Sequence, residues 1–316
     1  NPKASELLAL PEGASTEAVV ERLQLGSPDE ILALAPATLE LILDDNNATV
    51  LRAYLAPVKS HSEQLSGVVV VLQDMTEQSR LDQMRRDFVA NVSHELRTPL
   101  TTIKSYVETL LDGAVEDRAT ANRFLAVVNE ESDRMTRLVR DLLTLSILDN
   151  QRSGPKQNIF LDELVIDVAD RLAVAAQQQG LQLSISLPDE MPLVCASRDE
   201  IEQVLVNIVS NAIKFTPAGG KVSIMVQPRE QEVAIAVQDT GVGIPAADLP
   251  RIFERFYRVD KARSRQMGGT GLGLSIAHQI VVSHGGQIEI ESELGEGTLV
   301  TFTLPIVKQE EDEAHA

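Results

Sequence analysis

The sequence contains little of several residue types, and each shortage excludes a class of protein. A single cysteine, Cys195, excludes a disulfide framework and a cysteine-based zinc site. Tryptophan is absent and aromatic residues make up only 3 %, which disfavours a stacking platform for single-stranded nucleic acid. The longest aliphatic run, residues 68–72, is far shorter than the ~20 apolar residues of a membrane-spanning helix. The Walker-type phosphate loop and the His-Arg-Asp loop of protein kinases are also missing from the sequence.

The composition is otherwise that of a folded, acidic protein. Hydrophobic residues make up 43 % and charged residues 24 % of the 316 residues, which is typical of globular domains. At ~150 residues per domain, this length predicts two or three domains. The formal net charge of −19 argues against direct binding of nucleic acid, because the phosphate backbone would be repelled.

Turn signals and composition divide the chain into four segments. Residues 1–76 contain short mixed elements and two strand-like stretches, 49–58 and 67–73, and they predict a small and incomplete α+β domain. Residues 151–155 include Gly154 and Pro155, which interrupt helices and strands, and they predict a linker. The charged residues 308–316 predict a disordered tail.

Residues 77–150 have the pattern of two long helices. Apolar residues recur at spacings of three and four from Leu81 to a stop signal at Gly113, and again over about 119–149. Two such helices joined by a short loop form a hairpin, but one hairpin cannot cover both apolar stripes. We therefore expect two copies to form a four-helix bundle, which makes the chain a homodimer through residues 77–150.

Residues 156–307 alternate between helical and strand patterns and predict an α/β sandwich with one sheet layer and one helix layer. The predicted helices are 161–179, 198–213 and 270–284, and the predicted strands are 181–186, 221–227, 231–238, 286–291 and 298–304.

A histidine motif, FVANVSHELRTPL, lies in the first of the two long helices. His94 lies off the apolar stripe, and the carboxylate of adjacent Glu95 is placed to accept a proton from one ring nitrogen, which leaves the other as a nucleophile. Pro99 removes a backbone hydrogen bond and predicts a bend beside the histidine. The alternative is a surface histidine, with Thr98 as an ordinary helix-face residue rather than one that positions water.

Two asparagines share one face of the predicted helix 198–213, since Asn207 and Asn211 are four residues apart. Asparagine is a poor helix former, and both residues lie among apolar ones, which favours a functional role. Their amides can supply an oxygen to Mg²⁺ and a donor to phosphate. Lys214 follows three residues later and can meet the same phosphates as a point charge.

Two glycine-rich loops complete the candidate site. Asp239 ends a predicted strand just before the first loop, and its carboxylate can accept a hydrogen bond from the exocyclic amine of adenine while the glycines allow close backbone approach. The second loop, residues 268–274, opens a predicted helix whose backbone amides form an anion site. Each loop taken alone would also fit a simple turn.

A basic segment, residues 251–266, separates the two glycine loops. In so acidic a chain it favours a site for a polyanion, with Phe253, Phe256 and Tyr257 packed over it as a lid. The alternative is a solvated helix face. The basic residues are Arg251, Arg255, Arg258, Lys261, Arg263 and Arg265.

In this order, the motifs resemble the five boxes of the sensor histidine kinases of two-component signalling. HELRTPL resembles the H box, NIVSNAIKFT the N box, DTGVGI the first glycine box, IFERFYRVD the F box and GGTGLGLSIA the second glycine box. The resemblance covers about residues 77–305. Residues 88–114 are similar to the group of these kinases that controls cell-wall homeostasis in low-GC Gram-positive bacteria, and residues 1–76 resemble the end of a PAS sensor domain.

The resemblance implies a GHKL-type ATPase fold for residues 156–307, with ATP and Mg²⁺ as its ligands. By position in the motifs, His94 is the phosphoacceptor, Glu95 its base, and Thr98 the residue that positions water in a phosphatase reaction. Asn207 would hold Mg²⁺. The implied nucleotide contacts are Asn211, Lys214, Asp239, Gly241, Gly243, Tyr257, Arg258, Lys261, Gly269, Gly271, Leu272 and Gly273.

The resemblance also implies partners and a location. The phosphoryl group would pass from His94 to an aspartate of a response regulator, and the chain would be the cytoplasmic portion of a bacterial plasma-membrane protein that is anchored through an upstream segment. Two alternatives stay open. One is a GHKL-type ATPase clamp that hydrolyses ATP without a phosphohistidine, and the other is a scaffold with an inactive nucleotide site.

Overall fold

The computed structural model describes residues 1–11, 13–23, 30–31, 35–43, 49–59, 65–149, 154–260 and 269–307. Its contacts separate two compact units, Asn1–Ala90 and Asn91–Ala316. Most of the predicted linker and the whole predicted tail lie outside the described residues. Within the described ranges, no helix combines the length and apolarity needed to cross a bilayer.

The first unit contains an antiparallel sheet in the order β1-β2-β3 and two short helices. Leu51, Ala53 and Leu55 alternate along β2 and are buried together with Leu8 and Leu23, because alternate residues of a strand face the same side. The predicted α+β character of this segment is therefore confirmed. The elements are α1 (Pro2–Leu7), α2 (Thr16–Arg22), β1 (Ala37–Leu43), β2 (Thr49–Lys59) and β3 (Leu65–Asp74).

Two long helices follow, α3 (Thr76–Leu111) and α4 (Arg118–Asp149). Gly113 separates them with a φ of 115°, a left-handed conformation that favours glycine. The rings of Tyr106 and Phe124 pack edge to face with centroids 4.9 Å apart, so the two helices form the predicted hairpin. Helix α3 continues through Pro99, which is buried, so the proline does not end the helix.

The rest of the second unit is a five-stranded sheet with a layer of helices. The strand order is β5-β7-β8-β10-β9, in which only β5 and β7 are parallel. A separate two-stranded sheet joins β4 and β6. The elements are β4 (Gln157–Ile159), α5 (Leu161–Gln178), β5 (Gln182–Ser186), β6 (Val194–Ala196), α6 (Arg198–Phe215), β7 (Lys221–Pro228), β8 (Glu232–Asp239), α7 (Gly273–Ser283), β9 (Ile288–Glu293) and β10 (Gly297–Pro305).

Helix α6 lies between α5 and α7, and all three helices contact the sheet. Ile201, Val204, Leu205 and Ile208 are at most 1 % exposed and recur at helical spacing, so they form the buried stripe of α6. Burying each of these side chains contributes about 1.5–3 kcal/mol. The predicted two-layer sandwich is confirmed, and the stripe fixes which side of α6 is left for polar residues.

Candidate active site

A cavity of about 930 Å³ lies in the second unit between α6, α4 and the loops that follow β8. This volume is large enough for a nucleotide. The structure brings most of the predicted nucleotide residues to its wall. These are Asn207, Asn211, Lys214, Asp239, Gly243, Tyr257, Arg258, Gly269, Gly271 and Gly273.

Two predicted residues, Gly241 and Leu272, do not border the cavity within the described part of the chain. The Gly241 N–H donates to Asp239 Oδ1 at 2.7 Å. Leu272 is fully buried at the start of α7 and its side chain packs in the core, so its role as a nucleotide contact stays a prediction. Lys261 lies outside the described residues.

Asp239 is the buried carboxylate of the cavity, at the end of β8 and 8 % exposed. Burial raises its pKa, because the charged form loses solvation, and the hydrogen bond from the Gly241 N–H opposes this shift. The bond to Gly241 also fixes the orientation of the carboxylate. Asp239 is therefore a preoriented acceptor for a ligand amine.

Lys214 supplies positive charge to the cavity wall. Burial lowers its pKa to about 8, and the neighbouring charges of Arg258, Arg134 and Arg137 lower it further in that order. A cation held among three other cations is poorly stabilised until an anion joins them. The arrangement therefore favours a polyanionic ligand.

Asn207 also borders the cavity. Its Nδ2 donates to the carbonyl of Gly273 at 3.0 Å, which leaves the amide oxygen as a ligand. Within the described ranges, no group of three or more His, Cys, Asp or Glu residues forms a metal site. A divalent cation here would share its coordination with ligand phosphates and water, which is how Mg²⁺ usually binds.

Two loop positions require glycine. Gly243 has a φ of 67°, and a Cβ there would collide with the carbonyl oxygen of Glu293. Gly271 has a φ of 75°, and a Cβ there would lie 3.0 Å from the backbone of Phe256. Glycine at these positions lets the two loops approach the neighbouring backbone while forming the cavity wall.

The basic segment is not an open polyanion site, as far as its described residues go. Arg251 pairs with Glu254 at 3.0 Å, and Arg255 pairs with Asp149 at 2.6 Å. Arg258 also pairs with a carboxylate but borders the cavity as well. Acids of the same chain therefore take up the charges of Arg251 and Arg255, whereas a role of Arg258 in binding an anion stays a prediction. Arg263 and Arg265 lie outside the described residues.

Two aromatic residues of this segment have identified partners, and the predicted lid stays a prediction. The hydroxyl of Tyr257 donates to Asp248 at 2.5 Å, and its ring lies 4.3 Å from the Arg251 guanidinium carbon. The ring of Phe253 packs against His278. Phe253 and Tyr257 are therefore each engaged with a nearby side chain, and Tyr257 packs on a basic one.

The histidine motif lies on α3 in the second unit. His94 is exposed, while the Oε2 atom of Glu95 accepts from Arg134 Nη2 at 3.0 Å and from Arg258 Nη2 at 2.9 Å. Among the described residues, the predicted hydrogen bond from His94 to Glu95 is not formed, because the two arginines hold the Glu95 carboxylate. Thr98 is exposed, and its hydroxyl donates to the carbonyl of His94 at 3.2 Å.

Helix α4 adds residues to the cavity that the sequence motifs did not indicate. Arg137, Arg140 and Asp141 border it, and the Thr270 hydroxyl donates to Asp141 Oδ2 at 2.8 Å. Burial raises the pKa of Asp141. The signal was present in the sequence, since Arg134 precedes Arg137 and Arg140 at steps of three and the three form a basic row along one helix.

Two family descriptions match the chain. The His Kinase A (phospho-acceptor) domain matches residues 84–151, which include His94. The Histidine kinase-, DNA gyrase B-, and HSP90-like ATPase matches residues 196–308, which include every cavity residue on α6 from Asp199 onward and both glycine loops. The ATPase family implies that this part of the chain binds ATP.

Individual proteins give the same result. The chain is 43 % identical over 312 residues to the sensor histidine kinase WalK of Bacillus subtilis, covering 98 % of this chain and 49 % of that protein. It is 40 % identical over 268 residues to the sensor protein kinase WalK of Staphylococcus aureus, covering 84 % of this chain and 64 % of that protein. The chain thus spans about half the length of the Bacillus relative.

A solved structure supports the same relationship. The histidine kinase AdeS of Acinetobacter baumannii superposes with a TM-score of 0.54 at 28 % identity, over 68 % of this chain and 98 % of that one. Two kinase domain families in the expected order, and relatives that match nearly the whole chain, lead to one conclusion. The chain belongs to the sensor histidine kinase family.

Proposed function

We propose that this protein is an ATP-dependent histidine kinase that phosphorylates its own His94 and passes the phosphoryl group to an aspartate of a response regulator. One observation carries the proposal. A cavity lined by Lys214, Arg258 and the buried carboxylate of Asp239 lies in the same compact unit as an exposed histidine within the phosphoacceptor match.

Different cavity residues would bind different parts of the nucleotide. Asp239 would accept from the adenine amine, and Asn211 and Lys214 would bind the phosphates. The glycine loop before α7 would add backbone amides at the positive end of that helix. Asn207 would hold Mg²⁺, which when bound neutralises part of the phosphate charge.

Phosphoryl transfer then requires positioning and charge stabilisation more than covalent chemistry. A ring nitrogen of His94 attacks the γ-phosphorus in line, the new P–N bond forms, and the P–O bond to ADP breaks. The ring proton passes to the carboxylate of Glu95. Because His94 does not border the cavity among the described residues, the ATP-binding part and the helix have to move toward each other before transfer.

The phosphohistidine has a labile P–N bond and can therefore pass its phosphoryl group to an aspartate of a response regulator. In the reverse role as a phosphatase, Thr98 would position the attacking water. Its exposed place one turn after His94 supports this assignment. The relationship to WalK supports a role in control of cell-wall homeostasis.

A homodimer is part of this proposal. Helices α3 and α4 leave large apolar side chains exposed in the second unit, and a second hairpin would cover them in a four-helix bundle. The domain limits proposed are 1–76 for a PAS-like domain, 77–150 for the dimerisation hairpin and 156–307 for the ATP-binding domain. The exposed apolar side chains are Leu100, Val107, Leu111, Leu125, Val139, Leu143 and Ile147.

The proposal is tested with γ-labelled Mg-ATP. We expect label that is stable in base and labile in acid, and we expect its loss in His94→Gln. The matched control is His278→Gln, which changes another exposed helical histidine and should keep the label. An ATPase clamp would instead hydrolyse ATP without forming a phosphoprotein. Persistent labelling of His94→Gln would show that the phosphoacceptor is another residue.

A further inference from the structure

One carboxylate oxygen joins the phosphoacceptor helix to the nucleotide cavity. Glu95 Oε2 lies 3.0 Å from Arg134 Nη2 and 2.9 Å from Arg258 Nη2. The side chains of the two arginines are only 8 % and 5 % exposed. Charged hydrogen bonds of this length in a buried setting are strong, so Glu95 is held in place from two sides.

The two arginines differ in where they come from. Arg134 lies on α4, the other helix of the hairpin, and therefore accompanies Glu95 whenever the hairpin moves. Arg258 lies beyond the first glycine loop and borders the nucleotide cavity. Of the two arginines, only Arg258 itself borders the cavity.

Arg258 has a hydrogen-bond donor that Glu95 does not use. Its Nε is buried and has no hydrogen-bond partner among the described residues. A guanidinium offers five N–H donors in a fork that suits the oxygens of a phosphate. Arg258 is also the first of the three arginines that lower the pKa of Lys214, so the two cations lie in the same part of the cavity.

We propose that Arg258 is a positioning residue whose guanidinium exchanges Glu95 for the phosphates of the nucleotide. This inference rests on the proposed function, since it assumes that ATP binds in the cavity. Phosphates carry more negative charge than one carboxylate and accept a bidentate contact, so they compete for Arg258. Glu95 then keeps only Arg134 and is released to serve His94.

The exchange makes a thermodynamic prediction that needs no catalysis. Nucleotide and Glu95 compete for Arg258, so nucleotide binding has to break the bond between Arg258 and Glu95. Removing the Glu95 carboxylate removes this cost of nucleotide binding. We expect Glu95→Gln in the full chain to bind the Mg²⁺ complex of adenylyl imidodiphosphate roughly tenfold more tightly than the unaltered protein. Isothermal titration calorimetry measures this change directly.

Two controls separate the exchange from a general loss of negative charge. Glu131→Gln removes a carboxylate that lies 3.7 Å from Arg134 but has no contact with Arg258, and it should leave the affinity within about twofold. In an Arg258→Ala background, Glu95→Gln should also change affinity by less than about twofold. If Arg258→Ala fails to fold by circular dichroism, Arg258→Gln takes its place.

Three results would overturn the exchange: an unchanged or weaker affinity in Glu95→Gln, an equal gain in Glu131→Gln, or a gain that persists without Arg258. Labelling of the unaltered protein with γ-labelled ATP runs in parallel. Labelled His94 with no affinity gain in Glu95→Gln rejects the exchange alone. An affinity gain without any phosphohistidine supports the exchange and rejects the proposed kinase function.

Discussion

Lys214 makes nucleotide binding depend on pH in a range that is easy to measure. Its pKa is lowered to about 8, first by burial and then by the charges of Arg258, Arg134 and Arg137. The three arginines stay charged at every pH below about 12, so they do not titrate in this range. The charge of Lys214 is therefore present at pH 7 and largely lost at pH 9.

The size of the effect follows from this value. With a pKa of about 8, the protonated fraction of Lys214 is roughly 0.9 at pH 7 and roughly 0.1 at pH 9. Bound phosphates favour the charged form and raise the pKa, so binding above pH 8 takes up a proton. We expect the affinity for a non-hydrolysable Mg-ATP analogue to fall roughly tenfold from pH 7 to pH 9.

Lys214→Arg is the matched variant, since it keeps the charge throughout this range. Calorimetric titrations at pH 7, 8 and 9, in two buffers with different protonation enthalpies, give both affinity and proton uptake. The variant should lose the tenfold change and the uptake. The same pH profile in both proteins, or no proton uptake by the unaltered one, would refute the reasoning.

Three further predictions concern the loops, the dimer and a buried histidine. Gly243→Ala should have a lower urea midpoint of unfolding than Gly295→Ala. Both variants carry a left-handed backbone strain of roughly 1–2 kcal/mol, but only the Cβ at position 243 collides with a backbone carbonyl. Equal midpoints would contradict this. Leu143→Glu, at an exposed site on α4, should sediment as a monomer. Val174→Glu, at an equally exposed site on α5, should remain dimeric. A dimeric Leu143→Glu protein would contradict the four-helix bundle. Burial lowers the pKa of His284, so the unfolded chain binds its proton first and stability is lost as pH falls below about 6.5. In thermal melts, His284→Gln should lose less stability between pH 7 and pH 5 than the unaltered protein. An equal loss in both proteins would contradict this prediction.

Periodic elements of the fold were predictable from sequence, since their signal is local. The stripe of Ile201, Val204, Leu205 and Ile208 predicted helix α6 because helical spacing alone determines which face is buried. Asn207 and Asn211 were singled out because they lie among these apolar residues. Strands β4 and β6 were missed because three residues carry no measurable period.

Contacts between distant parts of the chain were not predictable. Glu95 is separated by 39 residues from Arg134 and by 163 from Arg258, and no spacing rule relates such positions. Sequence reasoning therefore paired Glu95 with its neighbour His94. The partner of Arg255 was missed for the same reason, since Asp149 pairs with it across 106 residues. Residue types and spacing identified the members of the site, but packing determined their partners.

The most direct test of the central claim is to locate the phosphoryl group on the protein itself. The full chain is incubated with Mg-ATP, digested at neutral to basic pH, and analysed by tandem mass spectrometry. The account predicts a phosphohistidine at His94, on α3 beside the Glu95 cluster. A phosphoryl group on any other residue, or ATP turnover with none on the protein, would contradict it.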